Sequence, residues 1–391
     1  MKRIIEEELK KITAAGLKRS PRILEGPVGT RVRIDGEEKI LLCSNDYLGL
    51  ANNPEVKKAF IEGVERYGAG AGASRLVSGT LTPHKKLEER IRDFKGTESA
   101  LIFNSGYNAN VGLITTLADR STEIFSDRLN HASIVDACVL SRAKVKRYAH
   151  GDVDSLEGLL KKSTVKKKII ITEGVFSMDG DVAPLGEITG LLERYGAQLI
   201  LDDAHGVGVL GEKGRGTLEH FSIKDHPLII QMGTFGKAFG AFGAFVAGSR
   251  ELIELLISKA RTFIYTTALP PAICEATIKA IGIVDKNPAL VKGLNEKARY
   301  MREGLKEAGI DILQSTTQII PLLVGEADRA MEISKILFEK GLFVQGIRPP
   351  TVPENTSRLR LTATAAHTKD DLDFALSTVK DTFFSQGVFS G

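Results

Sequence analysis

Between Ser99 and about Ser249 the chain switches repeatedly between short apolar runs and stretches whose apolar residues recur at helical spacing. That alternation restricts it to an α/β fold. The runs fall at 100–103, 123–126, 145–148, 169–172, 199–201, 228–232 and 244–247, and Leu185, Ile188, Leu191, Leu192 and Tyr195 mark a helix between two of them. Continuous rather than alternating apolar runs belong to strands covered on both faces, so one large, mainly parallel sheet is expected. After Pro270-Pro271 the pattern predicts a long helical stretch to about Ala308, a strand over 318–324, a helix over 330–340, a strand over 342–345, an alternating strand over 358–362 and a closing helix from about Lys369. Before the sheet, a helix and a hairpin turning at Asp35-Gly36 read as an arm. At 391 residues the chain exceeds the ~250–300 that one core serves. The expected organisation is an amino-terminal arm over 1–45, a large domain over 46–285 and a smaller α+β domain over 286–391.

Composition removes several function classes. The net charge of +4 is small and the basic residues are scattered, so no nucleic-acid footprint is expected. The densest basic run, Lys161 to Lys168, reads as a solvated lead-in to the strand at Ile169, or as an attraction for a coenzyme or acyl carrier. Cys43, Cys138 and Cys274 stand alone without CxxC spacing, which predicts neither a disulfide framework nor a metal site and suits a reducing compartment. No run of about 18 apolar residues and no apolar leader occurs, so no membrane association and a cytoplasmic location are expected.

The chemistry concentrates where strands end. Open α/β sheets bind ligands beyond the carboxyl ends of their strands, and Asn104 to Tyr107, Asn130-His131, Glu173 to Asp179, Asp202 to His205, and Thr234 with Lys237 all follow predicted strands. Lys237, in Gly233-Thr234-Phe235-Gly236-Lys237-Ala238-Phe239-Gly240, is set among small residues. Partly desolvated there, its amine can lose a proton and attack an aldehyde, as a Schiff-base lysine does. An aspartate at the end of a neighbouring strand, Asp202, completes what a pyridoxal phosphate (PLP) enzyme requires: a carboxylate that keeps the pyridine nitrogen protonated. Asp202 could equally cap the following helix. Gly106 opens a helix whose amides could hold a phosphate, or simply makes a turn. His205 could donate to the phenolic oxygen of the ring and His131 could lie over it. Asp203 fits a structural role.

The segments Ser44-Asn45-Asp46-Tyr47-Leu48-Gly49-Leu50, Asn130-His131-Ala132-Ser133, Glu173 to Asp181, Asp202 to Gly206 and Thr234 to Gly240 together resemble the α-oxoamine synthases, a family of fold-type I PLP-dependent transferases. The resemblance runs over almost the whole chain. It implies that Lys237 carries PLP, that Gly106, Tyr107, Ser177, His205 and Thr234 contact it, that Asp202 pairs with its ring nitrogen, and that His131 stacks on the ring. Thr266 or Thr267 matches a threonine given to the phosphate by the partner subunit of a homodimer. Asn45 matches an active-site residue, and Ser74 lies in a loop facing the site. Arg19 is chosen as an amino-terminal substrate arginine, with Lys18 and Arg22 as neighbouring registers.

Family members join an amino acid to an acyl thioester with loss of carbon dioxide and release of thiol. Ile347 to Pro353, followed by Arg358 to Thr362, resembles the branch that takes L-alanine and a pimeloyl thioester carried by coenzyme A or an acyl carrier protein. In that reading Arg348 grips the amino-acid carboxylate and Thr351 lies beside it on the substrate side. The branch that takes glycine and acetyl-CoA has nearly the same core motifs.

Overall fold

The computed structural model describes residues 1–14, 16–224 and 226–388. Its main sheet has seven strands, in the spatial order Ser99–Phe103, Ala244–Gly248, Ile229–Thr234, Ala197–Asp202, Lys167–Glu173, Thr122–Asp127 and Lys144–Tyr148. Each apolar run picked out in the sequence falls in one of them, save that Leu228 precedes its strand by one residue. Neighbours are parallel, except that Ala244–Gly248 is antiparallel to the strands on both its sides. Apart from the edge strand Lys144–Tyr148, which is largely exposed, both faces are buried, which accounts for the continuous runs. Ile124, Ile169, Ile171 and Ile200 enter one core with Leu113 and Ile134 from the helices Gly106–Leu117 and Ala132–Ser141. Phe125, Ile170, Leu199 and Leu201 enter another with Leu185, Ile188, Leu191 and Leu192 of the helix Leu185–Tyr195. Truncating one of these leucines or isoleucines to alanine costs about 2–5 kcal/mol.

The carboxyl-terminal part is built on a second, antiparallel sheet in the order Ile319–Gly325, Ser357–Thr362, Gln345–Ile347. The helix expected from Pro271 to Ala308 is two helices, Pro271–Lys286 and Pro288–Glu307. Pro288 has no amide to donate and forces Asn287 out of helical conformation, to φ −131° and ψ 72°. The strand expected over 342–345 is also two: Leu342–Phe343 runs parallel to Ile40–Leu41, and Gln345–Ile347 is antiparallel to Arg358–Arg360. Leu342 and Val344 point into the same core, so the apolar pattern conceals the change of partner between them.

The amino-terminal hairpin, Arg31–Ile34 with Glu37–Leu41, turns through Asp35 and Gly36 at φ 51° and 78°, the conformation a tight hairpin turn demands. Its second strand pairs with Leu342–Phe343, and Ile40 and Leu42 are buried with Met301, Leu322, Leu337 and Leu361. One face of the hairpin thereby packs into the carboxyl-terminal core, and Val32, Ile34 and Leu41 form a small cluster of their own with Phe338 and Phe343. The helix Lys2–Ala14 carries no buried residue. Among the described residues no helix is long and apolar enough to cross a membrane.

Contacts fasten the smaller sheet over the carboxyl ends of the larger one. Gln318 Nε2 donates to His205 O at 3.1 Å and Thr317 Oγ1 to Gly180 O at 2.8 Å. Arg358 pairs with Asp179. The ring of His150 joins Asp127 and Asp181 at 3.0 and 2.9 Å, tying the loop around Ser177 to the strand that leads to His131.

Candidate active site

Gly106, Tyr107, His131, Asp202, His205, Thr234 and Lys237 line one cavity of about 210 Å³ at the carboxyl ends of the parallel strands, together with Asn110 and Glu173. Lys237 lies in the connection from Ile229–Thr234 to its antiparallel neighbour Ala244–Gly248. Gly240 N donates to Lys237 O at 2.8 Å and Ala241 N to Phe235 O at 2.9 Å, so the turn is internally braced. Gly240 has φ +61° and its Cα lies so close to the Leu50–Ala51 backbone that a methyl group would overlap it; only glycine fits both demands.

The Lys237 amine lies 2.8 Å from His205 Nε2. Burial lowers it to about 8, against the opposing pull of the Asp202 and Glu173 carboxylates. Burial, with Lys237 and Arg360 adding to it, holds His205 well below the usual imidazole range, so the ring is neutral. Asp202 ends its strand buried, and accepts from Asn110 Nδ2 at 2.8 Å and Ala204 N at 3.0 Å. Asn110 also donates to Ser133 Oγ, which lies 2.8 Å from His131 Nδ1. Glu173 Oε1 accepts from His131 N at 2.6 Å; burial and the neighbouring Asp202 push Glu173 well above the usual carboxyl range. Ser105 caps the helix that Gly106 opens, accepting from Asn108 N, and the Gly106 and Tyr107 amides have no acceptor among the described residues. Asp203 bears out its structural reading: it pairs with Lys95 and accepts from Thr217 N.

The remaining expected residues fall elsewhere. The Ser177 carbonyl accepts from Arg360 Nε at 2.7 Å, outside the cavity lining. Asn45 Oδ1 accepts from Arg360 Nη2 at 3.2 Å and lies 3.1 Å from Tyr47 OH. Ser74 bridges Thr267, and Asn104 Nδ2 donates to Thr266 Oγ1 and to Thr267 O; none of the three lines the Lys237 cavity. Arg19 and Thr351 are exposed. Arg348 donates to the carbonyl of Lys18 at 3.3 Å and does not line the cavity either. Arg360, which sequence reasoning passed over, is 6% exposed, and its donors reach only neutral oxygens: Ser177 O, Asn45 Oδ1 and Tyr47 OH. A buried guanidinium without a carboxylate is costly unless an anion arrives. Its sequence signal was the alternation Arg358-Leu359-Arg360-Leu361, which turns the leucines into the core and both arginines the other way.

The family model described as aminotransferase class I and II matches residues 37–379. The chain belongs to this family. Among its relatives, a protein of Geobacter sulfurreducens described as 8-amino-7-oxononanoate synthase is 53% identical, with 97% of each chain covered. One of Thermoanaerobacter pseudethanolicus with the same description is 50% identical over 95% of this chain and 94% of its own. The structure of a serine palmitoyltransferase from S. paucimobilis with bound PLP superposes with a TM-score of 0.92 at 31% identity, covering 98% of both chains. An 8-amino-7-oxononanoate synthase structure from Francisella tularensis gives 0.78 at 29% identity, over 90% of this chain and 99% of that one. These likenesses agree with the α-oxoamine synthase motifs and with the fold-type I architecture.

The residues present fit PLP, the cofactor of this family's fold-type I members. Asp202 is a buried carboxylate bonded only to neutral donors, which leaves it a counter-charge for a protonated ring nitrogen. Free amides at Gly106 and Tyr107 suit a phosphate at a helix start. The lowered Lys237 amine suits an aldehyde.

Proposed function

We propose that this chain is an 8-amino-7-oxononanoate synthase, joining L-alanine to a pimeloyl thioester with release of carbon dioxide and free thiol, in biotin biosynthesis. The observation that carries the amino-acid half is the buried Arg360 guanidinium with no anionic partner, linked through Tyr47 and His205 to the Lys237 amine. An α-carboxylate supplies the missing charge, and a planar guanidinium suits it in two parallel hydrogen bonds. The choice of acyl group and product rests on the relatives with nearly full-length coverage at 47–53% identity, all described by that name.

Bound PLP supplies a ring that withdraws electrons from the substrate α-carbon. Asp202 keeps a proton on the ring nitrogen, and Asn110 holds that carboxylate in place. Lys237, near neutrality in its own titration, removes the α-proton and returns one after decarboxylation. Arg360 holds the carboxylate until it departs. His131, fixed at its backbone by Glu173 and at Nδ1 by Ser133, lines the cavity with Nε2 left to donate to the acyl oxygen as the α-carbon attacks and that oxygen gains charge; the carbonyl re-forms as the thiolate is expelled.

The active unit is a homodimer in this reading. Ser74, Thr266 and Thr267 are flanked by exposed apolar residues, Leu76, Val77 and Tyr265 at 53, 80 and 71% exposure, which a second subunit would cover. Thr266 or Thr267 then serves the partner's phosphate site. Arg348, which donates to the carbonyl of Lys18, and Arg19, the next residue in the chain, suit the acyl thioester. The thiols of Cys43, Cys138 and Cys274 are unpaired, in keeping with a cytoplasmic enzyme. Purified protein offered L-alanine with pimeloyl-CoA, and separately glycine with acetyl-CoA, is expected to release thiol much faster with the first pair. Preference for the second pair would overturn the assignment.

A further inference from the structure

Tyr47 is fully buried, and its hydroxyl lies at the centre of the polar cluster rather than at its edge. It is 2.7 Å from His205 Nδ1, 3.1 Å from Asn45 Oδ1 and 3.3 Å from Arg360 Nη2. His205 Nε2 is in turn 2.8 Å from the Lys237 amine. The hydroxyl has one proton for two acceptors. Arg360 Nη2 already donates to Asn45 Oδ1 and also to the Tyr47 oxygen, so the amide oxygen is served and the hydroxyl hydrogen is turned away from the guanidinium, toward the nearer Nδ1.

We propose that Tyr47 is a positioning residue: its hydroxyl donates to His205 Nδ1, placing the imidazole proton on Nε2, where it points at Lys237 and at the group that lysine carries. A neutral imidazole has one N–H, and the bond made at one nitrogen decides what the other can do. With Nδ1 occupied as an acceptor, Nε2 is a donor, the state required to hydrogen-bond the phenolic oxygen of PLP. The same hydroxyl accepts from Arg360, so the arginine that receives the substrate carboxylate and the imidazole beside the lysine are oriented by one atom. Burial raises the Tyr47 phenol above its ordinary value, although Arg360 opposes the rise; it remains a donor at neutral pH.

The inference rests on Lys237 being the PLP lysine, and the two can fail separately. If the wild-type protein mixed with PLP gains no yellow absorbance, the PLP reading fails. The tautomer is read independently by nitrogen NMR of histidine-labelled apo protein, at about pH 9 where Lys237, at about 8, is neutral and can accept. His205 is assigned by its loss in His205→Gln. The expected wild-type spectrum shows Nε2 protonated and Nδ1 bare. In Tyr47→Phe, which keeps the ring and removes only the hydroxyl, Nε2 protonation is expected to be no longer exclusive, kcat to fall about tenfold, and KM for the amino acid to rise as Arg360 loses one of its acceptors. Wild-type protein with the proton on Nδ1 overturns the proposal even if Tyr47→Phe does not fold. So does a Tyr47→Phe protein with the wild-type tautomer.

Discussion

Glu173 and Asp202 stand directly opposite each other in register at the ends of adjacent parallel strands, both buried. Two carboxylates so placed do not ionise equally. Asp202 has the better donors, from Asn110 and Ala204, and Glu173 is held well above its ordinary range by burial and by Asp202. Glu173 need supply only an oxygen for His131 N, which an amide also offers. Glu173→Gln is therefore expected to keep kcat within a few-fold of wild type, whereas Asp202→Asn loses roughly 100-fold or more, the scale of losing a preorganised charge. Steady-state kinetics on the PLP-loaded variants decides it; equal losses would contradict the division of roles.

Lys237 is expected to capture PLP at a rate that rises with pH through about 8 and then levels, because only the neutral amine attacks. Stopped-flow development of the yellow absorbance measures it. Lys237→Ala is expected to lose both the absorbance and turnover.

Arg360 and Arg348 make opposite predictions for KM. Replacing Arg360 by Met removes the buried cation from Asn45 and Tyr47, and KM for L-alanine is expected to rise about 10–100-fold, the worth of a charge-assisted hydrogen bond. Arg348→Ala should leave that constant within a few-fold, since its guanidinium is engaged by the Lys18 carbonyl, and should act instead on the KM of the acyl thioester.

His150 is predicted to lend stability that depends on pH. Burial alone would lower its titration, but the hydrogen bonds with Asp127 and Asp181 raise it to about 10, above the ordinary 6.5. A histidine shifted upward stabilises fully below its unfolded value, and the gain disappears as pH climbs through the folded one. The Tm gap between wild type and His150→Gln is expected to be widest at about pH 6 and to narrow toward about pH 10. Differential scanning calorimetry across that range tests the sign.

The sheet was readable from sequence because Ile169 to Ile171 and Leu199 to Leu201 are buried on alternate faces, which demands unbroken apolar runs. The Lys237 cavity was readable because strand ends concentrate polar residues. What escaped were places where local pattern and tertiary partner disagree. Leu342 to Gln345 reads as one strand because burial is continuous, although the hydrogen-bond partner changes. Arg360 looks like any outward residue of an alternating strand until the larger sheet is laid against it and it is found buried on the Ser177 carbonyl. Tyr47 stood within a recognised segment, yet its three hydrogen-bond partners come from positions 45, 205 and 360, and no spacing along the chain reports that meeting.

Gly240 presses the lysine-bearing turn against the Leu50–Ala51 backbone, only a few residues beyond Asn45 and Tyr47. The Lys237 amine and the residues proposed to orient the substrate acid therefore share one mechanical joint. A side chain at position 240 would wedge the two apart and detune imine formation and substrate grip in a single stroke, without altering any group that takes part in the chemistry.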